Sequence, residues 1–276
     1  MSSISSLQKY YRQPKVYISL PSKGEYYPLG CLTGNSEQLP VYGMTGMDEI
    51  LFKTPDALFT GESIVEVIKS CIPDIKDPWA MPQLDVDTAL IAIRIATYGA
   101  SLSVGFTCSK CNAENDRSFD LNQALAYFSS LYWENTIVLD PLIIYLKPFN
   151  YKQNTEFQLK NYELQKMLAN SARQDNEEVQ RKILTDFYKK LSIVQAESFK
   201  LHIDKIEADE DVVNNPQEIN DWLNNSDKEI FDKLKKHLEN MKNIWKIPTQ
   251  KTECASCSFV NEVSINLDNS NFFVNN

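Results

Sequence analysis

Apolar residues recur at spacings of three and four in several parts of the chain, a pattern typical of amphipathic helices. Three stretches carry it clearly, with apolar positions Ile64, Val67, Ile68 and Cys71; then Val179, Ile183, Phe187, Leu191 and Val194; then Phe231, Leu234, Leu238, Met241 and Trp245. A fourth stretch, 89–96, is apolar almost all round except at Arg94. Such a helix is usually buried on several sides, so we expect it in the core of the N-terminal half. We interpret Arg94 as a buried ion pair or a snorkelling side chain rather than as a catalytic residue.

Polar residues next to these stretches predict where the helices begin and end. Thr45 and Asp48 form an N-cap pair for a helix that starts near residue 45. Asp85 is in position to cap the next helix, and Gly99 to end it. Residues 226–229 match a capping box.

Shorter segments alternate between apolar and polar residues and predict strands. Val16, Ile18 and Leu20 alternate near the N-terminus, and 136–147 reads as strand on both sides of an Asp140-Pro141 turn. The Pro- and Gly-rich run 20–28 predicts a rigid turn, and the acidic stretch 207–211 predicts a solvated loop. Together these elements predict an α+β fold with a helical core and short strands.

Two segments that are far apart in the chain share a C-x-x-C turn with strand-like flanks. Cys108 and Cys111 lie in the first, and Cys254 and Cys257 lie in the second. Two knuckles of this kind build a zinc ribbon, in which four thiolates surround one tetrahedral Zn²⁺. Four thiolates leave no position open for water or substrate, so we predict a structural zinc site.

The distance between the knuckles departs from a simple ribbon. Between Cys111 and Cys254 lie 142 residues, whereas ribbon pairs are usually about 15–20 residues apart. The cost of closing a loop rises only slowly with its length, so a long, mostly helical insert between the knuckles is feasible. Two redox C-x-x-C motifs or two unrelated free pairs are the alternatives. We treat Cys31 and Cys71, which lack such a neighbour, as ordinary buried thiols.

Composition and charge narrow the classes of function. The formal net charge of −9 weighs against a protein that coats DNA or RNA, because phosphate binding depends on Lys and Arg. No segment approaches the roughly 20 apolar residues that cross a bilayer, and the N-terminus lacks the apolar stretch of a secretory signal. We therefore expect no membrane and no nucleic acid as partners, and a reducing cytoplasm in which cysteine pairs bind metal.

A search for catalytic groups finds none. The two histidines, His202 and His237, have no metal-ligand partner at helical spacing, and we assign them surface or half-buried positions. The sequence contains no nucleophile elbow, no P-loop and no dinucleotide-binding motif, and it has only eight glycines. We expect neither enzymatic activity nor a small-molecule substrate.

Several motifs occur together in a recognisable order. Leu20-Pro21-Ser22-Lys23-Gly24-x-Tyr26-Tyr27-Pro28 precedes the run 44–49 (MTGMDE), then Asp85 and Asp87, the run 93–99 (IRIATYG), the first C-x-x-C and Phe119-Asp120-Leu121. This set resembles the T4-like bacteriophage baseplate hub subunits and hub assembly proteins. The resemblance implies a non-enzymatic protein of the hub of a contractile tail. The implied partners are other hub or tail proteins, with the tape-measure protein among the candidates, and the implied location is the host cytoplasm during assembly or the virion.

We divide the chain into four segments on this basis: an extended arm (1–44), a helical core with the first knuckle (45–121), a strand with a helical insert (122–248), and the second knuckle with a C-terminal strand (249–276). Tyr26, Tyr27 and Trp79 are candidates for partner contacts, although packing in the core or within a local turn is the simpler explanation for each of them. The competing hypothesis from another class is a nucleic-acid-binding zinc-ribbon regulator of phage origin. It requires a basic face near the knuckles, but only Lys110, Arg117 and Lys251 lie close to them in the sequence.

Overall fold

The computed structural model describes residues 7, 10–52, 60–174, 176–209 and 211–265. It divides into two compact units: unit 1 comprises 1–132 and 245–276, and unit 2 comprises 133–244. The mixture of helices and strands and the clustering of the four cysteines confirm the predicted α+β class. The division into four segments stays a prediction, and the part of its C-terminal strand at 266–276 lies outside the described residues.

Among its described residues, unit 1 combines four helices with three small antiparallel pairs of strands. Its helices are α1 (Gly46–Phe52), α2 (Glu62–Cys71), α3 (Gln83–Tyr98) and α4 (Leu121–Ser130), with a short 3₁₀ turn at Pro78–Ala80. Its strand pairs are β1 (Val16–Ile18) with β2 (Leu39–Val41), β3 (Ser101–Thr107) with β4 (Glu114–Asp120), and, after unit 2, β9 (Gln250–Glu253) with β10 (Val260–Val263).

Helix α3 forms the centre of unit 1, as its apolar surface predicts. Its side chains from Leu84 to Arg94 are almost all buried. Gly99 ends the helix with φ +88, a conformation that glycine adopts without strain, and its N–H donates to Ile95. Arg94 is buried and lies over the Tyr98 ring at 4.9 Å, so it has a packing role.

The starts of the helices confirm one of the predicted caps and correct two others. Thr45 and Asp48 exchange hydrogen bonds at the start of α1, as predicted. Asp85, however, lies inside α3, because the helix already begins after Pro82. Ser226 does not cap a helix either, since its hydroxyl donates to the carbonyl of Trp222.

Arg12 attaches the N-terminal arm to the helices of unit 1. Its guanidinium donates to the carbonyl of Gly43 at 2.6 Å and to the carbonyl and hydroxyl of Ser70, and it lies 3.6 Å from Asp48. One side chain thus fixes the arm to the approach to α1 and to the last turn of α2.

The described residues of unit 2 form a four-stranded antiparallel sheet and four helices. The sheet order is β5 (Thr136–Leu139), β6 (Leu142–Leu146), β7 (Ile203–Ala208) and β8 (Asp211–Val213). The described helices are α5 (Tyr151–Ser171), α6 (Glu177–His202), α7 (Pro216–Asn224) and α8 (Lys228–Ile244). Asp140-Pro141 forms the predicted turn between β5 and β6. The stretch 207–211 is not a plain loop, because Glu207, Ala208 and Asp211 lie in the paired strands β7 and β8.

The core of unit 2 joins its sheet to its helices. Ile144 and Ile206 from the sheet pack with Phe199 of α6 and with Leu223 and Leu234 of α7 and α8. The apolar face that the sequence pattern predicts for α8 is thereby covered in part. On α6 the core uses Phe199, which lies beyond the predicted stripe 179–194; within that stripe Val194 is buried and Val179 is exposed. The Phe199 and Phe231 rings meet edge to face at 4.4 Å.

Asp85 is fully buried, and its carboxylate binds the run 20–28. It accepts hydrogen bonds from the N–H and hydroxyl of Ser22 and, at 3.0 Å, from the hydroxyl of Tyr27. This loop contains Lys23, Gly24 and Tyr26, all with positive φ. Burial raises the pKa of Asp85 to about 7, although these donors favour the ionised form.

Asp85 is therefore expected to make stability depend on pH. Because its folded pKa lies above the unfolded value of about 4, the unfolding free energy should fall as pH rises from about 4 to about 7, by up to about 1.4 kcal/mol per pH unit. Asp85→Asn has no carboxylate to ionise, so its stability curve should be flatter. Urea unfolding at pH 5 and pH 8 measures this difference, with Asp186→Asn on exposed α6 as the control. Parallel curves for Asp85→Asn and wild type would contradict the assignment.

Candidate metal centre

Two β-hairpins of unit 1 present the four cysteines. Cys108 and Cys111 lie in the turn between β3 and β4, directly after the pair Thr107–Glu114. Cys254 and Cys257 lie in the turn between β9 and β10, directly after the pair Glu253–Val260. Each C-x-x-C motif is therefore held at the end of a paired ladder, as the sequence predicts for a knuckle.

The two turns have the same backbone geometry. In the first, the N–H of Cys108 donates to Ala113 and the N–H of Asn112 donates to Cys108; in the second, Cys254 donates to Phe259 and Ser258 to Cys254, and all four distances are 2.9 Å. Asn112 and Ser258, at matching positions, have φ of 57° and 55°. The sequence similarity of the knuckles thus extends to their conformation.

The four sulfur atoms converge on one point. Cys108 Sγ lies 3.7 Å from Cys257 Sγ, Cys111 Sγ lies 3.7 Å from Cys254 Sγ, and all four lie within 4.8 Å of one another. A tetrahedral ion with metal–sulfur distances of about 2.3 Å separates its ligands by about 3.8 Å. A disulfide needs about 2.05 Å, and all four cysteines are free. The spacing matches ligands of a shared ion better than two oxidised C-x-x-C pairs.

Electrostatics of the cluster also favour a cation. The sulfur of Cys108 accepts hydrogen bonds from the N–H groups of Cys111 and Lys110 and from the side-chain amide of Asn261. These bonds lower the pKa of Cys108 to about 6, although burial acts in the opposite direction. The N–H of Ala113 donates to the sulfur of Cys111, which lowers the pKa of this thiol. The neighbouring sulfur atoms and burial outweigh that bond and raise the pKa of Cys111 to about 12. Four thiolates packed this closely would repel one another, because like charges disfavour the ionised forms. A central dication removes this conflict.

The four cysteines differ in their exposure to solvent. Cys108 and Cys254 are buried, Cys257 is half-buried, and Cys111 is exposed. With all four sulfurs bound, a tetrahedral ion has no open position, so the arrangement suits a structural metal rather than a catalytic one.

Two asparagines belong to this site and were missed by the sequence analysis. Asn115 and Asn261 each lie four residues after the second cysteine of their own knuckle, and both are buried. Each hydrogen-bonds to the opposite knuckle. Their identical spacing is the signal in the sequence that could have revealed them.

The other candidate residues lie elsewhere. Cys71 is buried, as predicted, and Arg12 of the arm contacts its sulfur. Cys31 is only half-buried, so the prediction that Cys31 is a buried thiol is corrected. His202 stacks on Phe149 at 3.9 Å, with Nδ1 2.9 Å from the Lys147 carbonyl, and burial lowers its pKa to about 4. His237 Nε2 lies 3.0 Å from the Glu134 carbonyl. Both histidines thus serve local structure.

Three aromatic residues were candidates for partner contacts. Tyr27 instead turns its hydroxyl towards Asp85, and Tyr26 and Trp79 are half-buried. Within the described residues, no helix is long and apolar enough to span a bilayer.

Comparison with known proteins identifies the family. No curated protein and no solved structure gives a significant match. A family model described as T4 bacteriophage base plate protein matches residues 19–274, a range that contains all four cysteines, the run 20–28 and Asp85. The family suggested by the sequence motifs is thereby confirmed, and the chain belongs to the T4 bacteriophage base plate protein family.

Proposed function

We propose that this protein is a non-enzymatic component of the central hub of a contractile-tail baseplate, assembled in the host cytoplasm and retained in the virion. The family match over 19–274 carries the proposal, since a base plate protein is a structural part of the phage particle and contacts other baseplate or tail proteins. The hub position rests on the motif set at 20–28, 44–49 and 93–99. Hub or tail proteins, including the tape-measure protein, are the partners we propose.

We also propose that Cys108, Cys111, Cys254 and Cys257 bind one structural Zn²⁺. The convergence of the four sulfurs, with two pairs 3.7 Å apart and all within 4.8 Å, supports this, because four bound thiolates would leave no ligand position open. Structural zinc contributes on the order of 10 kcal/mol to folding. Here it would hold the two chain segments of unit 1 together, which is a role in stability and not in chemistry.

Replacing one ligand tests the zinc proposal. Wild type should carry one zinc per chain in native mass spectrometry, and Cys254→Ser should lose it together with much of its thermal stability, because three thiolates bind the ion less tightly. Cys31→Ser is the matched control, since Cys31 lies outside the cluster, and it should keep its zinc. Metal-free wild type that unfolds at the same temperature with and without added Zn²⁺ would contradict the proposal.

Cross-linking tests the hub position. In baseplates purified from infected cells, lysine cross-links from this protein should lead to central hub subunits and to the tape-measure protein. Surface lysines such as Lys152, Lys182 and Lys236 provide the reactive groups. Cross-links confined to peripheral baseplate proteins would rule out a hub position, and absence from finished particles would indicate an assembly factor instead.

The regulator hypothesis makes an opposite prediction. Of the three basic residues near the knuckles, Arg117 donates to the Glu253 carbonyl at 3.0 Å and Lys110 lies over the Phe259 ring at 5.8 Å, so both have local partners. With a net charge of −9, filter binding at 50 mM salt should detect no tight nucleic-acid complex. Binding at nanomolar concentration that weakens steeply with added salt would favour the regulator hypothesis.

A further inference from the structure

Asn115 and Asn261 form a reciprocal pair across the two knuckles. The Asn115 amide donates to the Ala113 carbonyl of its own turn at 2.9 Å and reaches Cys254 Sγ of the other knuckle at 3.5 Å. The Asn261 amide donates to the Phe259 carbonyl of its own turn at 3.1 Å and reaches Cys108 Sγ at 3.6 Å. Each asparagine thus binds the first cysteine of the opposite motif.

The side-chain oxygens complete the exchange. Asn115 Oδ1 accepts the N–H of Ala255 at 2.8 Å, and Asn261 Oδ1 accepts the N–H of Ser109 at 3.0 Å, in each case the residue after the cysteine that the amide reaches. The Ser109 hydroxyl adds a bond to Asn261 at 3.1 Å, which Ala255 cannot provide on the other side. Both asparagines are less than a tenth exposed. Buried amides with nearly every donor and acceptor engaged hold one geometry.

We propose that Asn115 and Asn261 are positioning residues that set the affinity and coordination geometry of the metal site. This inference rests on the proposed zinc site, because it concerns the residues that contact the metal-binding cysteines. Each amide donates to a thiolate, which spreads the negative charge of the sulfurs, and each oxygen fixes the backbone that carries that thiolate. Because each side chain touches both knuckles, the pair defines how the two hairpins meet before and after an ion binds.

The pair also fits the long separation of the knuckles. Cys111 and Cys254 are 143 positions apart, so the knuckles cannot be aligned by a short connecting loop as in a simple ribbon. Direct bonds between the hairpins supply the alignment instead. Four of them, two from each asparagine, lie within two residues of a cysteine.

Charged variants separate this role from general packing. Asn115→Asp and Asn261→Asp keep the oxygen that accepts the N–H but replace the donor with a like charge beside a sulfur. Competition with a chromophoric zinc chelator should show metal affinity lowered about 10- to 100-fold. Asn112→Asp is the matched control, because it adds the same charge next to Cys111 at an exposed position. Water screens that charge, so its affinity should change by about twofold or less.

Cobalt substitution provides a readout that loss of packing would not change. Each Asp variant, loaded with Co²⁺, should shift its thiolate-to-cobalt charge-transfer bands relative to wild type and Asn112→Asp, since the N–H donor to sulfur is gone. The double variant should lose less affinity than the product of the single losses, because each substitution releases the same contact between the knuckles.

The outcomes distinguish the two proposals. Wild type that binds no metal contradicts the zinc site itself. Wild type that binds one zinc, with affinity and cobalt spectra unchanged in Asn115→Asp and Asn261→Asp, overturns the positioning role alone. If an Asp variant does not fold, Asn115→Ala and Asn261→Ala replace it, and a loss of at least about tenfold in affinity is expected there.

Discussion

The contact between the two knuckles is the constraint on which unit 1 depends. Unit 1 consists of two chain segments, one before unit 2 in the sequence and one after it. The knuckles bring these two segments together around four sulfur atoms. The stacking of Trp245 on Phe128 and the bond from Arg117 to Glu253 add contacts between the same segments. The cost of closing a loop rises only slowly with its length, so direct bonds between the hairpins can hold together segments that are far apart in the chain.

Buried polar groups specify the rest of unit 1 as much as its apolar core does. Asp85 binds the loop at 20–28, and the two asparagines bind the knuckles. An apolar contact tolerates sliding, whereas a buried donor and acceptor pair tolerates little displacement. A protein that must fit against other subunits benefits from a shape fixed in this way.

Local patterns in the sequence predicted the elements well and the long-range contacts poorly. The C-x-x-C spacing was sufficient to pair two distant knuckles, because each had no other motif to match. Asp85 looked like a cap because it stands near a helix start, but its partners are Ser22 and Tyr27, about sixty positions away. Asn115 and Asn261 resemble ordinary polar strand residues until the hairpins are placed together. The acidic stretch at 207–211 was misjudged because its pairing with β6 is not local.

The discontinuity of unit 1 has a consequence for synthesis on the ribosome. A chain emerges at roughly 5–20 residues per second, so the second knuckle follows the first by on the order of ten seconds. During this interval unit 2, which is continuous in sequence, can fold, while Cys108 and Cys111 still lack the other half of their site. Unit 1 is completed only after Cys257 has been translated. A chain cut short before that point lacks half of the four-cysteine cluster.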